Sequence, residues 1–213
     1  AELPSIRFDR LRPLGGSAGT TVEAEIAGAD NEEVNSLLFD YPGFEAEPIE
    51  GKERWFKLSI AADVPPGTYD VRLVGRWGVS NPRLFAVSHG LTDVAETEPN
   101  NDAARAQNVE VNSAINGDAD GNGQDVFRFS AKQGQRIVIE CQAGKLDSMM
   151  DATMSLSAAD GKLLGTNSDY NGRDPLIDFL APADGEYLVT VHDLSYRGGF
   201  PYRLILSDRP QLE

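Results

Sequence analysis

The sequence predicts an all-β protein built from two β-sandwich domains. Segments that alternate apolar and polar residues recur along all 213 residues, and none carries a sustained 3.6-residue apolar stripe. Turn pairs such as Asp160-Gly161 and Asp184-Gly185 separate these segments. Two stretches, "VPPGTYDVRLV" and "APADGEYLVTV", each place a Gly turn two residues before a Tyr that opens a strand. A tyrosine corner late in a sandwich has this pattern, so two copies predict two sandwiches.

Six strands are predicted in the first half of the chain. Apolar residues fall on one face at Val22, Ala24 and Ile26, and again at Phe56, Leu58 and Ile60. The predicted strands are "SIRFDRL", "TTVEAEIAG", "SLLFDYP", "RWFKLSIAA", "GTYDVRLVG" and "RLFAVSHG".

Seven strands are predicted in the second half. They are "DVFRFSA", "QRIVIECQ", "DATMSLSA", "GKLLGTN", "LIDFLAP", "EYLVTVHD" and "YRLILSD". Their alternation predicts one buried face, formed by Phe127, Phe129, Ile137, Ile139, Met154, Leu156, Tyr187, Val189 and Val191.

The stretch between the two halves, "LTDVAETEPNNDAARAQ", is polar and contains Pro99. It holds the one short helix that the sequence predicts, Asp102 to Gln107. We therefore place the domain boundary near residue 93, which gives domains of residues 1–93 and 94–213.

Composition excludes some functions. Lys and Arg number 19 against 34 Asp and Glu, a formal charge of -15 that would repel a phosphate backbone, so nucleic acid is not an expected partner. No apolar run reaches the length of a membrane span. The acidic surplus either keeps the chain in solution or gathers carboxylates around divalent cations. The single cysteine, Cys141, lies on a strand face with Ile139 and is expected to be a buried apolar residue.

The stretch "INGDADGNGQDVFRFS", residues 115–130, partly matches a helix-loop-helix calcium loop. The twelfth place of that loop needs a bidentate Glu, but here it is Phe129. The residues that follow the loop alternate as a strand and not as a helix. This kind of calcium loop is therefore excluded, and its polar residues bind a cation only with help from elsewhere in the chain. The matching places are Asp118, Asp120, Asn122 and Gly123.

The second half of the chain resembles the bacterial pre-peptidase C-terminal domain from Glu96 to Asp208. The resemblance rests on the opening "ETEPNN", on "DVFRF" and on "DGEY", in this order and spacing. The first half resembles, more loosely, the immunoglobulin-like module that precedes such domains in large exported proteins of planctomycete-type bacteria. It rests on "GTTVE" near the start and "GVSNPRLF" near the end.

This resemblance implies a fold and a role. The fold would be an immunoglobulin-like sandwich followed by a jelly-roll-like sandwich. The role would be that of a non-catalytic accessory module of an exported protein, secreted, periplasmic or on the cell surface, which binds an extracellular protein or polysaccharide. A start at "AELPS", without Met or an apolar signal segment, is compatible with a product trimmed after export. Another possible role is to aid the folding or secretion of a larger parent chain.

The resemblance also implies a calcium site. Relatives include the collagen-binding domains of bacterial collagenases, whose calcium sites join the E-x-E-P-N linker to an Asp-rich loop. The residues carried over are Glu96, Glu98, Asn100 and Asp125, with Asp120 or Asn122 and a backbone carbonyl near Gly117.

Two positions depart from that pattern. Asn101 and Asn122 stand where Asp is usual, so a two-ion cluster is in doubt unless Asp102 or Asp120 supplies the missing charge. The alternative is that Asn100 caps the short helix while the two glutamates are simply solvated.

Candidate catalytic residues are few. His192, Asp193 and Ser195 lie close in sequence, but neighbours on a strand point to opposite faces and no G-x-S-x-G elbow exists. Asp147 and Asp151 could form the carboxylate pair of a small secreted hydrolase, although their place before a strand favours a turn. We therefore expect no enzymatic activity, with the carboxylate-pair hydrolase as the alternative.

Aromatic residues give weak partner-binding candidates. The stretch "DLSYRGGFPYRL" gathers aromatic side chains and an Arg around a Gly-Gly turn, as binding surfaces often do. Tyr196 and Phe200 are the candidates, because Tyr202 alternates with apolar strand residues and is expected in the core. Trp55 and Trp77 raise the same possibility in the first half.

Overall fold

The computed structural model describes residues 4–31 and 33–209. Contacts between residues divide the chain into two units after Gly90. The boundary predicted from the sequence lies near residue 93. Each unit is built from two β-sheets with a buried apolar core of its own. The predicted class, an all-β chain with two β-sandwiches, is confirmed. The immunoglobulin-like and jelly-roll-like details stay predictions.

The structure describes nine strands in the first unit. The order β1-β3-β6-β5 forms one sheet, and β2-β9-β7-β4 forms the other, with β8 pairing β7. All pairs are antiparallel except β2 with β9. The strands are β1 (Arg7–Arg12), β2 (Gly15–Ser17), β3 (Thr21–Ala29), β4 (Val34–Phe39), β5 (Phe44–Pro48), β6 (Trp55–Ile60), β7 (Gly67–Gly75), β8 (Gly78–Val79) and β9 (Arg83–Ser88).

The described part of the second unit contains ten strands. One sheet has the order β10-β12-β19-β14-β17 and the other β11-β13-β18-β15-β16. The strands are β10 (Thr92–Ala95), β11 (Gln107–Asn108), β12 (Ser113–Asp118), β13 (Asp125–Ala131), β14 (Arg136–Gln142), β15 (Ala152–Ala158), β16 (Leu163–Asn167), β17 (Leu176–Leu180), β18 (Gly185–Asp193) and β19 (Pro201–Ser207).

The apolar faces of the second unit pack as the alternation predicted. All nine predicted core residues are buried in one apolar cluster, to which strands of both sheets contribute side chains. Both Tyr-after-Gly patterns form the same bond, because the hydroxyl of Tyr69 donates to the Pro65 carbonyl at 2.7 Å and that of Tyr187 to the Ala183 carbonyl at 2.7 Å. Each unit therefore has a Tyr hydroxyl that ties a turn to the strand following it.

The predicted helix from Asp102 to Gln107 is wrong. The Asp102 carboxylate accepts hydrogen bonds from the backbone amides of Ala104 and Arg105 and forms an ion pair with the Arg105 guanidinium. These contacts close a single turn. Gln107 then begins β11. Within the described residues the helical structure is one 3-10 turn, Gly144–Leu146, and no helix is long and apolar enough to span a membrane.

Six strands were not predicted from the sequence, namely β2, β5, β8, β10, β11 and β12, and two of them place the candidate site. β12 is an inner strand of its sheet, and β10 runs parallel to it within the polar stretch between the two halves. Because β10 and β12 are parallel and β19 is antiparallel to β12, three segments emerge at the same end of the sandwich. These segments are residues 96–101, residues 119–124 and residues 194–200.

Candidate metal centre

Three carboxylates converge at this end of the second unit. Glu96 and Glu98 follow β10, and Asp125 is the first residue of β13. One carboxylate oxygen from each lies within 4.8 Å of the others. Residues far apart in sequence therefore offer three oxygen ligands to one point.

Glu96 is held in place by three donors. The Tyr202 hydroxyl donates to its Oε1 at 2.7 Å, and the Asp118 amide donates to its Oε2 at 2.9 Å. The Asn100 side-chain amide donates to Oε1 at 3.2 Å. Gly117 leaves the room for this arrangement, since a Cβ there would lie 2.8 Å from Glu96 Oε2 and 2.6 Å from the Tyr202 ring.

Asn100 joins the glutamates to β13. Its backbone amide donates to Glu98 Oε2 at 2.9 Å, and its carbonyl accepts the Val126 amide at 3.0 Å. The side chain is fully buried, and its Oδ1 has no hydrogen-bond partner. A buried acceptor without a donor costs free energy. This oxygen is therefore available to coordinate a cation beside the carboxylates.

Asp125 is the most unfavourable group of the cluster. It is fully buried, and neither carboxylate oxygen meets a donor in hydrogen-bonding geometry. The nearby Tyr202 hydroxyl acts to lower the pKa of Asp125 but donates its hydrogen bond to Glu96. Burial raises the pKa of Asp125 to about 8, and the negative charge of Glu96 adds to the rise. Burial likewise raises the pKa of Glu96, with the charge of Glu98 adding to it. The described ion pairs give none of these three carboxylates a Lys or Arg partner.

The cluster fits a hard divalent cation. Its donors are carboxylate and amide oxygens, which suit calcium, magnesium or manganese better than zinc or copper. A bound cation would be coordinated by the unpartnered oxygens of Asp125 and Asn100. It would also offset the mutual repulsion of the carboxylates, which contributes to the raised pKa values of Asp125 and Glu96. The alternative in which Asn100 caps a helix is wrong, because no helix follows it. Glu96 is half-buried and hydrogen-bonded, not simply solvated, whereas Glu98 is exposed as that alternative expected.

The remaining predicted ligands lie outside this group of three carboxylates. Asp120 accepts a hydrogen bond from the Asn101 side-chain amide, and its charge contributes to the raised pKa of Asp125. Asn122 is exposed in the left-handed region at φ 60°, and its backbone amide donates to the Tyr196 carbonyl at 2.9 Å. Asp102 pairs with Arg105.

Sequence reasoning missed the role of Tyr202. Tyr202 was expected in the core and is buried there, but its hydroxyl reaches Glu96. The available signal was the residue type, since a buried Tyr needs a partner for its hydroxyl where a Phe would not.

The candidate catalytic residues have structural contacts. Asp147 ends the 3-10 turn at φ 63°, and the backbone amide of Asp151 donates to the Asp193 carboxylate at 3.0 Å. His192 Nδ1 lies 2.9 Å from the Asp193 carbonyl, and its ring stacks on Tyr196. Asp147 therefore lies in a turn, as the sequence favoured, and Asp151 lies directly before β15.

The aromatic candidates differ in exposure. Tyr196 is 47% exposed, whereas Phe200 is half-buried against the core with the Arg197 guanidinium 5.2 Å from its ring centre. In the first unit Trp77 is 41% exposed beside Arg76, and Trp55 is half-buried beside Lys52.

Comparison with known proteins concerns the second unit above all. Residues 123–193 match the family model of the bacterial pre-peptidase C-terminal domain. This segment begins two residues before Asp125 and ends at Asp193. The chain is also 38% identical over 68 residues to a probable subtilase-type serine protease of Deinococcus radiodurans. That alignment covers 32% of this chain and spans only 9% of the protease.

The chain also matches solved structures. The pre-peptidase C-terminal domain of a Bacillus anthracis collagenase has a TM-score of 0.42 and 19% identity, covering 52% of this chain and 99% of that one. A Bacteroides ovatus glucan-utilisation protein, SGBP-B, solved with a mixed-linkage heptasaccharide, has a TM-score of 0.32 and 13% identity. It covers 92% of this chain and 43% of that one.

Proposed function

We propose that this chain is a non-catalytic binding module of an exported bacterial protein and that calcium supports its second unit. The ligands would be the carboxylates of Glu96, Glu98 and Asp125 and the side-chain oxygen of Asn100. The observation that carries the proposal is the Asp125 carboxylate, fully buried with both oxygens unpartnered. A carboxylate in that position is costly unless a cation compensates it.

Calcium suits the cluster better than magnesium. Calcium accepts six to eight oxygens at flexible geometry, whereas magnesium requires near-ideal octahedral geometry and keeps several waters. Here the donors come from an extended segment and from the start of a strand, and two of them belong to buried side chains. Asp120, at the edge of the cluster, is available as a further oxygen ligand.

The accessory role is supported by the comparisons of sequence. The match to the pre-peptidase C-terminal family and the short alignment with a protease favour a module attached to a secreted hydrolase. The module would hold the parent protein on an extracellular protein or polysaccharide, with exposed Tyr196 as a contact. Co-sedimentation with insoluble polysaccharides and fibrous proteins tests this, and Tyr196→Ala should weaken the binding.

Calcium support is tested by thermal melting and calorimetry. A ligand present at about 100 times its Kd stabilises the folded state by about 2.7 kcal/mol, so millimolar calcium should raise the melting temperature and a chelator should lower it. The double variant Glu98→Ala with Asp125→Ala should abolish both the response and the heat of binding. Glu45→Ala with Glu47→Ala, on an exposed strand of the first unit, is the matched control and should leave both unchanged. Chelator-insensitive melting without a heat of binding would overturn the proposal.

The non-catalytic assignment is tested separately. A panel of glycosidase, esterase and peptidase substrates should show no turnover. Turnover that disappears in Asp147→Ala or Asp151→Ala would favour the carboxylate-pair hydrolase instead.

A further inference from the structure

The loop that carries Tyr196 lies directly against the loop that carries Asp120. We call residues 119–124 the site loop and residues 194–200 the aromatic loop. Backbone hydrogen bonds join the two loops at three points. The Ala119 amide donates to the Phe200 carbonyl at 2.9 Å, the Gly199 amide to the Ala119 carbonyl at 2.8 Å, and the Asn122 amide to the Tyr196 carbonyl at 2.9 Å.

A glycine permits this close contact. A Cβ at Gly198 would lie 2.4 Å from the Gly121 nitrogen, 2.8 Å from its Cα and 3.1 Å from the Ala119 carbonyl oxygen. These are backbone atoms, which cannot move aside as a flexible side chain can. Any side chain at Gly198 would therefore separate the two loops, although its backbone conformation suits an ordinary residue.

The site loop is in turn tied to the carboxylate cluster. Asp120 accepts a hydrogen bond from Asn101, in the segment that carries the glutamates, and its charge acts on Asp125. Gly123 packs closely on Asp120, since a Cβ there would lie 3.0 Å from the Asp120 Cβ. A cation that draws in the carboxylates would therefore also fix the site loop.

The aromatic loop holds its Tyr in an unusual conformation. Tyr196 has φ 54°, a region that a bulky side chain seldom adopts. The Asp193 carboxylate accepts the amides of Ser195 and Arg197 on either side of it, at 3.0 and 3.1 Å. The Tyr196 ring stacks on His192 with ring centres 4.6 Å apart and planes 1° apart, and it stays 47% exposed. A strained residue that presents a flat ring to solvent is typical of a contact site.

We propose that cation binding at the Glu96, Glu98 and Asp125 cluster orders the aromatic loop through the Gly121–Gly198 contact, so that the presentation of Tyr196 depends on the cation. This inference rests on the proposed calcium site and concerns its regulation of partner binding. By linkage, a partner that binds the ordered loop strengthens cation binding by the same factor. The cation would thus switch the surface without contacting the partner.

Amide hydrogen exchange of the full chain, measured with calcium and with a chelator, tests the coupling. The Gly199 and Asn122 amides bridge the two loops, and calcium should slow their exchange by a factor of at least about five. The Gly134 amide, which donates to Ala181 at the opposite end of the sandwich, reports general stabilisation and should change less. In Gly198→Ala, calorimetry should still detect calcium binding. Calcium should then slow amide exchange at Gly199 no more than at Gly134.

Gly185→Ala is the matched control. Gly185 has an ordinary φ and open space around its Cβ position, so this variant should behave as the wild type does. A wild-type heat of calcium binding with equal responses of Gly199 and Gly134 would overturn the coupling alone. Absence of any heat of binding would overturn the proposed calcium site and the coupling with it. The wild-type comparison decides the question even where Gly198→Ala fails to fold.

Discussion

Asp125 combines two opposite effects on stability. Its buried carboxylate has no donor in hydrogen-bonding geometry, since the nearby Tyr202 hydroxyl donates to Glu96, yet it belongs to a cluster suited to a cation. Without a cation the charge is a cost, and with one it becomes a ligand.

Replacing Asp125 by Asn should therefore act with opposite signs. In chelator the melting temperature of Asp125→Asn should equal or exceed that of the wild type, because a neutral amide is less costly to bury than a carboxylate. In calcium the variant should melt below the wild type, because a ligand has been removed. The exposed Asp169→Asn should match the wild type in both conditions. An Asp125→Asn protein that keeps the full calcium response would contradict the ligand assignment.

Tyr187 supports the core of the second unit at two levels. Its ring lies 4.8 Å from that of Phe179 and 5.9 Å from that of Phe129, and its hydroxyl donates to Ala183. Tyr187→Ala should lower the free energy of unfolding by about 3 kcal/mol through the cavity it leaves. Tyr187→Phe should cost only about 1 kcal/mol, for the lost hydrogen bond. Urea denaturation measures both, and equal losses would mean that the ring does not pack as described.

In the second unit, the strands with a repeated apolar face were predicted from the sequence, whereas β10, β11 and β12 were not. The sequence placed the buried faces of β13, β14, β15 and β18 correctly. β12 is buried at four of its six residues and contains Asn116-Gly117, so it has no clear period-two signal. β10 has four residues and lies within a polar stretch.

The candidate site depended on those two strands. Carboxylates of the right type were visible in the sequence, and the family resemblance paired Glu96 with Asp125. The parallel pairing of β10 with β12 sets the position of Glu96 beside Gly117 and Asp118, and local sequence does not encode that register. Asp125 lies in the other sheet, which the hydrogen bond from the Val126 amide to the Asn100 carbonyl joins to this segment. Contacts of Glu96 with Gly117 and with Tyr202, in β19, follow from the same sheet.

The turn after β18 depends on one buried acid. Burial acts to raise the pKa of Asp193, but hydrogen bonds from the amides of Asp151, Arg197 and Ser195 and the charge of Arg197 outweigh it and lower the pKa below its ordinary value. A lowered pKa in the folded state means that this carboxylate stabilises the fold above the pKa of the unfolded chain, about 3.9. The contribution is lost as the pH falls through the folded-state value.

Asp193→Asn should therefore destabilise the protein in a pH-dependent way. At neutral pH the loss should be about 1–3 kcal/mol, because hydrogen bonds to a charged acceptor are replaced by weaker ones. As the pH falls from the pKa of the unfolded chain, about 3.9, through the lowered pKa of the folded state, the difference from the wild type should shrink, since the wild-type carboxyl then becomes protonated as well. Denaturation at neutral and at acidic pH checks this, and a difference independent of pH would assign the effect to packing alone.

At the scale of the whole molecule, each unit has its own buried core and its own tyrosine-tied turn. The candidate cation site and the aromatic loop belong entirely to the second unit. A fragment that contains this unit should therefore fold alone and keep the calcium response of the full chain.

The position of the cut decides how stable that fragment is. Leu91 is 7% exposed and packs with Ala114 and Ile205. Asp93 accepts a hydrogen bond from the fully buried Arg203 guanidinium at 2.8 Å. Burial lowers the pKa of Arg203 while Asp93 raises it, which identifies a buried charge that depends on its partner.

A fragment of residues 91–213 should consequently be more stable than one of residues 94–213. The shorter fragment loses the apolar contact of Leu91 and leaves Arg203 buried without the Asp93 carboxylate, a change that costs about 3–5 kcal/mol for a buried pair. Asp93→Asn in the longer fragment should reproduce part of this loss, whereas Thr92→Ala, at an exposed position of the same strand, should not. Thermal melting in calcium compares all four proteins. Equal melting temperatures for the two fragments would mean that β10 contributes little and that the unit begins after it, at the acidic segment itself.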